Sequence, residues 1–449
     1  MIRKLLLGAI LLGIGSAYGN AGIPLGTEPV VLSDDGGWSW FESPRVVLQG
    51  QRLIVGSVAG GAGDAERRGD IEAVVYDLQT RTATVVQLHH RLEFDDHASP
   101  AILARPDGRL LAVYAAHDTE NHFYYRLTDS TDPTAWLAEH TFVPTASSRI
   151  TYTNLYALSA EHNRIYNFYR GLDASFKPSY AYSDDLGASW KSGNVVIDFQ
   201  SQQRHRPYVV YASNGTDTIH LLYTDAHPRD FDNSLYHVMY RDGMLLHTDG
   251  TPIAPLTKGL ANPSDGTRIF AGTPDRVVWC IDLVLDAAGR PVAVYSVQMD
   301  SAGWPVGQGG DDLRYRYARW DGTAWQDYPL ALAGTRLYPG EDDYSGLVAI
   351  DPFDPETVYL STNADPETGE PLLSAADGLR HWEIFRGVTS DSGASWMFTP
   401  VTKNSTADNL RPIMPSTGDG SRRALVWLRG KYKAYTDFRQ QVVALVWRN

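Results

Sequence analysis

The chain has 449 residues, 43% of them hydrophobic, a formal charge of −14 and one cysteine, Cys280. That acidity excludes nucleic acid and anionic membrane as partners held by bulk charge, since both repel such a surface. A lone cysteine excludes an internal disulfide, so burial must hold the fold, and a chain this long can bury a large core.

The first residues read as an export signal. Arg3 and Lys4 precede the apolar run from Leu5 to Ile14, and the small residues Ser16, Ala17 and Gly19 follow. Cleavage after Gly19 fits the small-x-small rule, and the run is too short to span a membrane stably. The expected mature chain, 20–449, is secreted or periplasmic, with a charge near −16 once Arg3 and Lys4 are gone. No later stretch resembles a membrane helix, so no membrane partner is expected.

Beyond the leader, helical periodicity is almost absent. Short runs rich in Val, Ile, Tyr and Leu (72–76, 208–211, 218–223, 292–295, 357–361, 424–427) alternate with Gly, Asp, Asn and Pro clusters. Such spacing means an all-β sandwich, barrel or propeller. Repeats decide among these. Ser183-Asp184-Asp185-Leu186-Gly187-Ala188-Ser189-Trp190 and Thr389-Ser390-Asp391-Ser392-Gly393-Ala394-Ser395-Trp396 both match the Asp-box, Ser/Thr-x-Asp-x-Gly-x-x-Trp. Segments 130–136 and 320–325 look like degenerate copies. Trp136 and Trp190 lie 54 positions apart, about one four-stranded blade, so residues 20–449 are expected to form one seven-bladed β-propeller domain.

In chain order, the first candidate chemistry is His97, in Asp95-Asp96-His97, and His117, in Ala116-His117-Asp118. Between them an apolar stretch is broken by Pro106-Asp107-Gly108, a turn signal. The flanks read as two antiparallel strands, so both imidazoles reach one rim of a hairpin, where imidazole suits proton transfer near neutral pH. Next come Tyr152, Asn154 and Tyr156, expected on one strand face by period-two alternation, and Arg170, which can clamp a carboxylate. Arg204, Arg206 and Tyr208 then face Asp225-Ala226-His227-Pro228-Arg229 across another hairpin. Alternation puts Cys280 and Asp282 on one face, and with His227 they would suit zinc, against the simpler reading of Cys280 as a buried apolar residue. The acidic runs 310–312 and 341–343 offer carboxylates that could bind calcium, but read first as solvated loops.

Taken in order, Asp95-Asp96-His97, Pro106-Asp107-Gly108-Arg109, His117, Thr151-Tyr152-Thr153-Asn154, Tyr169-Arg170-Gly171, the Asp-box, Arg206-Pro207-Tyr208 and the 225–229 segment resemble the propeller polysaccharide lyases of the BNR-repeat class, above all the seven-bladed ulvan lyases. The resemblance implies β-elimination on a sulfated algal polysaccharide of rhamnose and uronic acid. It makes His97 and His117 the paired active-site histidines and Tyr152 a proton-transfer residue, with Tyr156 as the other possible counterpart. Arg170 becomes the group that neutralises the uronate carboxylate and Tyr208 a further cleft tyrosine, and with Tyr208 the neighbouring Asn154, Arg206 and Arg229 are expected as substrate contacts. It also implies a structural zinc on His227 with Cys280 as co-ligand, to which alternation adds Asp282, and no organic cofactor. The expected partner is an anionic polysaccharide, bound by a monomer. Two rival readings stand beside it: a sialidase-type glycoside hydrolase, loosely suggested by Glu42-Ser43-Pro44-Arg45, and a non-catalytic sugar-binding propeller.

Overall fold

The computed structural model describes residues 23, 27–145, 149–172, 176–302 and 304–448; the leader read at 1–19 lies outside them. The strands form seven antiparallel sheets that follow one another along the chain. Blade one runs from Val46–Gln49 to Thr82–His89, and blade two from Ala101–Ala104 to His140–Phe142. Blade three runs from Thr151–Leu158 to Lys191–Val195, blade five from Val277–Leu285 to Trp325–Gly334, and blade six from Val348–Ile350 to Met397–Pro400. Blade four, from Val209–Ser213 to Thr267–Phe270, carries two extra strands. Blade seven joins the chain ends: Asp408–Ile413, Arg422–Ala434 and Asp437–Arg448 are completed by Val30–Ser33 as the outer strand. The expected seven-bladed propeller is the fold.

Each blade is apolar inside and polar outside for a simple reason. Middle strands lie between neighbouring blades and bury both faces, so Pro291–Gln298 and Thr357–Thr362 are buried throughout. Outer strands such as Thr82–His89 meet solvent and are mostly exposed. The two Asp-boxes are built alike, at the hairpin between third and fourth strands. Asp185 Oδ1 accepts from Ser189 N at 2.8 Å, and Asp391 Oδ1 from Ser395 N at 2.9 Å. Their tryptophans pack on the preceding blade, Trp190 against Phe123 and Trp396 against Tyr317.

Between the closing strand and blade one, residues 38–45 fill the axial channel. The segment bonds to blades two and three around it: Ser39 N to Asp96 O at 3.0 Å, Ile102 N to Pro44 O at 2.7 Å and Leu155 N to Ser43 O at 2.7 Å. Trp40 and Phe41 reach further round, packing on Trp279, Tyr344, Tyr152 and Tyr208. Among the described residues no helix is long and apolar enough to cross a membrane.

Candidate active site

The inner strands begin at one mouth of the channel, and the candidate residues gather there. In blade two, Ala101 pairs with Val113, so the hairpin returns to its own rim as its sequence requires. His97 sits on the short 3-10 turn Asp96–Ala98 just before the first strand, and His117 lies just after the second, Leu110–Tyr114. The rings stack with centroids 4.0 Å apart and planes 12° from parallel. Asp95 ties them together. Its Oδ1 accepts from His97 Nδ1 at 2.6 Å and its Oδ2 from His117 Nδ1 at 2.8 Å. Both Nδ1 atoms therefore carry their proton, and both Nε2 atoms are left for chemistry. Asp96 lies 3.0 Å from His97 Nδ1 and is itself bound by Arg411 and by Tyr432 Oη at 2.7 Å.

The two imidazoles titrate in opposite directions. Burial works against charging His97, but Asp95 and Asp96 outweigh it and hold the imidazolium well above the usual histidine range. Burial and the neighbouring His97 charge lower His117, although Asp95 pulls the other way. Environments that drive two stacked groups apart make an acid and a base of them.

Blade three supplies the anion-binding element. Thr151 pairs with Arg170 and Asn154 with Phe168, so Tyr152 and Thr153 together oppose only Tyr169: a β-bulge. Tyr152 takes φ +65°, a left-handed conformation unusual for a bulky residue and of the kind found where function dictates position. This corrects the single-face expectation. Tyr152 turns into the site, Asn154 turns to the axial segment, and Tyr156 joins a core with its hydroxyl on Tyr211 O at 3.0 Å. Arg170, only 4% exposed, lies in an aromatic cage, its Cζ 4.8 Å from the Tyr152 ring, 4.7 Å from Phe176 and 4.8 Å from Tyr208. Its Nε and Nη1 have no hydrogen-bond partner. Burial works against its charge, but the Tyr208 and Tyr152 phenols beside it outweigh that, and an incoming anion would partner the two bare nitrogens.

The tyrosines also diverge. Burial dominates at Tyr152 and keeps its phenol protonated, with Arg170 opposing. Tyr208 feels the same burial, yet Arg170 and Arg206 overcome it and hold its phenol below the tyrosine range.

The remaining substrate contacts read from the sequence fall in different places. Arg206 borders the cage, its Cζ 6.0 Å from the Tyr208 ring. The Asn154 amide is spent on the carbonyls of Phe41 and Phe168 at 2.8 and 3.2 Å, so it anchors the axial segment. Arg229 is ion-paired with Glu341. The run 341–343 is not a solvated loop: Asp342 and Asp343 are buried.

The zinc set does not assemble. Cys280 pairs with Tyr295 and Asp282 with Val294, so a bulge at Ile281 sends the two side chains to opposite faces. Cys280 Sγ faces Tyr208 O at 3.6 Å, while Asp282 accepts from Leu283 N and Ile350 N, both at 2.9 Å. His227 instead accepts from Arg229 N through Nδ1 at 3.1 Å and packs on Trp279. Arg45, which suggested a sialidase, bonds Glu42 O and lines a small cavity with Asp282 and Met414, away from Arg170.

Sequence reading missed Tyr435 and Glu42. Tyr435, at the turn of the blade-seven hairpin, stands edge-on to both imidazoles, 5.3 Å from His97 and 5.7 Å from His117. Glu42 is wholly buried on the axial segment, neither carboxylate oxygen has a hydrogen-bond partner, and Arg45 Nη1 is 4.0 Å away. Burial pushes Glu42 up to about 8, against the pull of His97 and Arg45. The unfolded chain ionises this group near 4.5, so the fold binds the extra proton between those values and loses stability as pH rises through that window. Glu42→Gln removes the penalty. Its gain in unfolding free energy should be larger at pH 8 than at pH 5 by on the order of 2 kcal/mol, read from urea unfolding; equal gains would show that Glu42 ionises normally.

A histidine pair, a caged arginine and two divergent tyrosines thus meet at one mouth of an Asp-box propeller. Residues 64–332 match the BNR repeat-containing family, and the chain belongs to it. No curated protein sequence matches. Among solved structures, the chain is similar to a PL25 ulvan lyase bound to a glucuronate-(1-4)-rhamnose 3-sulfate saccharide, with TM-score 0.67 and 14% identity over 92% of this chain and 95% of that one. The same lyase without saccharide gives the same values. The polysaccharide lyase Uly1 superposes with TM-score 0.59 and 11% identity over 94% of this chain and 99% of its own. At such identities the likeness is one of fold.

Proposed function

We propose that the chain is an exported polysaccharide lyase that cleaves a uronic-acid polysaccharide by β-elimination, with ulvan the first candidate substrate. The observation that carries this reading is Arg170, a caged guanidinium with unpartnered nitrogens beside a stacked acid–base pair. The leader sequence supports export to where such polymers occur, and the structural neighbours named as ulvan lyases support the substrate class.

In this reading the uronate carboxylate docks on Arg170, with Arg206 alongside. Neutralising the carboxylate stabilises the negative charge that develops when the α-proton leaves. His117, neutral with its Nε2 lone pair free, takes that proton; the Tyr208 phenol, drawn toward ionisation by two arginines, is the alternative acceptor. The electron pair forms the double bond between the α-carbon and its neighbour, and the glycosidic bond breaks. His97, an imidazolium, gives its Nε2 proton to the departing oxygen, and Tyr152 orders that side of the cleft. The step is redox-neutral, and its proton transfers run to and from side chains of the chain itself.

The pH–rate profile tests the assignment. Activity should rise as His117 loses its proton, below the ordinary value of 6.5, and fall as His97 loses its own, well above it. A profile without an alkaline fall would remove His97 as the acid.

A further inference from the structure

The hairpin that closes blade seven has the longest strands among the described residues, Arg422–Ala434 and Asp437–Arg448. Its tip reaches the candidate site, where Asp96 N donates to Tyr435 O at 3.0 Å. One face of the hairpin is fastened down. The cross-strand pair Tyr432 and Phe438 is buried, and Arg411 lies 4.3 Å from the Tyr432 ring. The opposite face therefore looks outward. On it Arg429 pairs across the ladder with Gln441, and Lys431 with Arg439.

These cations have no evident structural use. Lys431 and Arg439 are exposed, and among the described residues neither they nor Arg429 have a carboxylate within ion-pair distance. Among the described residues Arg429 donates only to the Gln441 side-chain oxygen, at 2.8 Å through Nη2 and 3.2 Å through Nε. The one ion pair at the tip is Lys433 with Asp437, at 3.3 Å. Like charges directly opposite in a ladder repel, and a chain of charge −14 has no shortage of carboxylates to pair them with. Lys431 stands four positions back along the hairpin from Tyr435, about 13 Å if fully extended, so this face begins a few sugars away from the histidines.

We propose that the outer face of this hairpin is a second polyanion-binding site, which holds carboxylate or sulfate groups of the same polysaccharide chain a few sugars from the bond that is cut. It rests on the lyase reading only for the identity of the polymer. Holding the polymer at a distance strengthens binding of long chains and leaves the chemical step alone.

The test is the double variant Lys431→Gln/Arg439→Gln against Lys258→Gln/Arg268→Gln, which loses the same charge from exposed positions on blade four. Binding to ulvan, to polygalacturonate (carboxylates only) and to dextran sulfate (sulfates only) is measured by affinity electrophoresis at two salt concentrations, without any need for turnover. The hairpin variant should bind at least tenfold more weakly, with a salt dependence shallower by on the order of one power of salt per cation removed. Its KM on polymer should rise in step while kcat holds. Whichever of the two model polymers loses more binding names the anion. Unchanged binding, equal loss in the blade-four control, or a wild-type chain that binds none of the three polymers would overturn the proposal. Weakened binding by a protein that cleaves nothing would leave the site standing and remove the lyase reading.

Discussion

Arg170→Met should lower kcat/KM for elimination by about a thousandfold while leaving the propeller folded. The two effects have one cause. Arg170 is buried and caged by three aromatic rings, and its Nε and Nη1 are unpartnered. In the free protein Tyr208 favours its charge against burial, but those two nitrogens hold no other group in place, and methionine of similar length still packs between the rings. In the reacting complex it faces a carboxylate whose charge grows, and removing one such preorganised donor typically costs about 3–4 kcal/mol of transition-state stabilisation. Kinetics on the candidate polymer and a thermal melt of the same sample check both halves. A melting temperature that falls sharply would mean that Arg170 is structural.

Asp95→Asn should slow turnover by about a hundredfold or more and move the alkaline limb of the pH profile toward neutrality. Asp95 accepts from both Nδ1 atoms and also from His97 N at 3.0 Å. An asparagine side chain has one acceptor oxygen and one NH2 donor, so it cannot satisfy both imidazoles in the same tautomer. One ring must turn its proton to Nε2, and that ring loses its use as a base. The lost negative charge also lets His97 release its proton at lower pH, although Asp96 at 3.0 Å keeps part of the elevation. Imidazole NMR titration alongside the pH–rate profile separates the tautomer effect from the charge effect. An alkaline limb that does not move would show that Asp95 has no hold on the acid.

Much of this molecule is local, and the local part is legible in the sequence. The Asp-boxes fix the blade period because Asp185 and Asp391 satisfy hairpin amides within four residues. The His97–His117 pairing follows from a hairpin that must return to its own rim. What escaped had two physical sources. Counting alternate residues assumes an unbroken strand, and the bulges at 152–153 and at Ile281 break it. The first bulge separates Tyr152 from Asn154 and Tyr156; the second dissolves the expected zinc set of His227, Cys280 and Asp282. The other source is ring closure. Arg411 and Tyr432 support Asp96 from 315 and 336 residues away, and Tyr435 reaches the histidines by the same route. Nothing in their local sequence marks them, because it is the joining of the last blade to the first that brings them in. Glu42 escaped for a related reason: only the assembled ring turns residues 38–45 into an axial plug.

The most direct measurement of the central claim is the product formed when the mature chain meets ulvan, followed by ultraviolet absorbance and by mass spectrometry of the fragments, with Arg170→Met in parallel. Absorbance from a conjugated uronate should rise with wild type, the fragments should be one water lighter than hydrolysis products, and the variant should give neither signal. Saturated fragments with new reducing ends and no rise in absorbance would contradict elimination and make the chain a hydrolase.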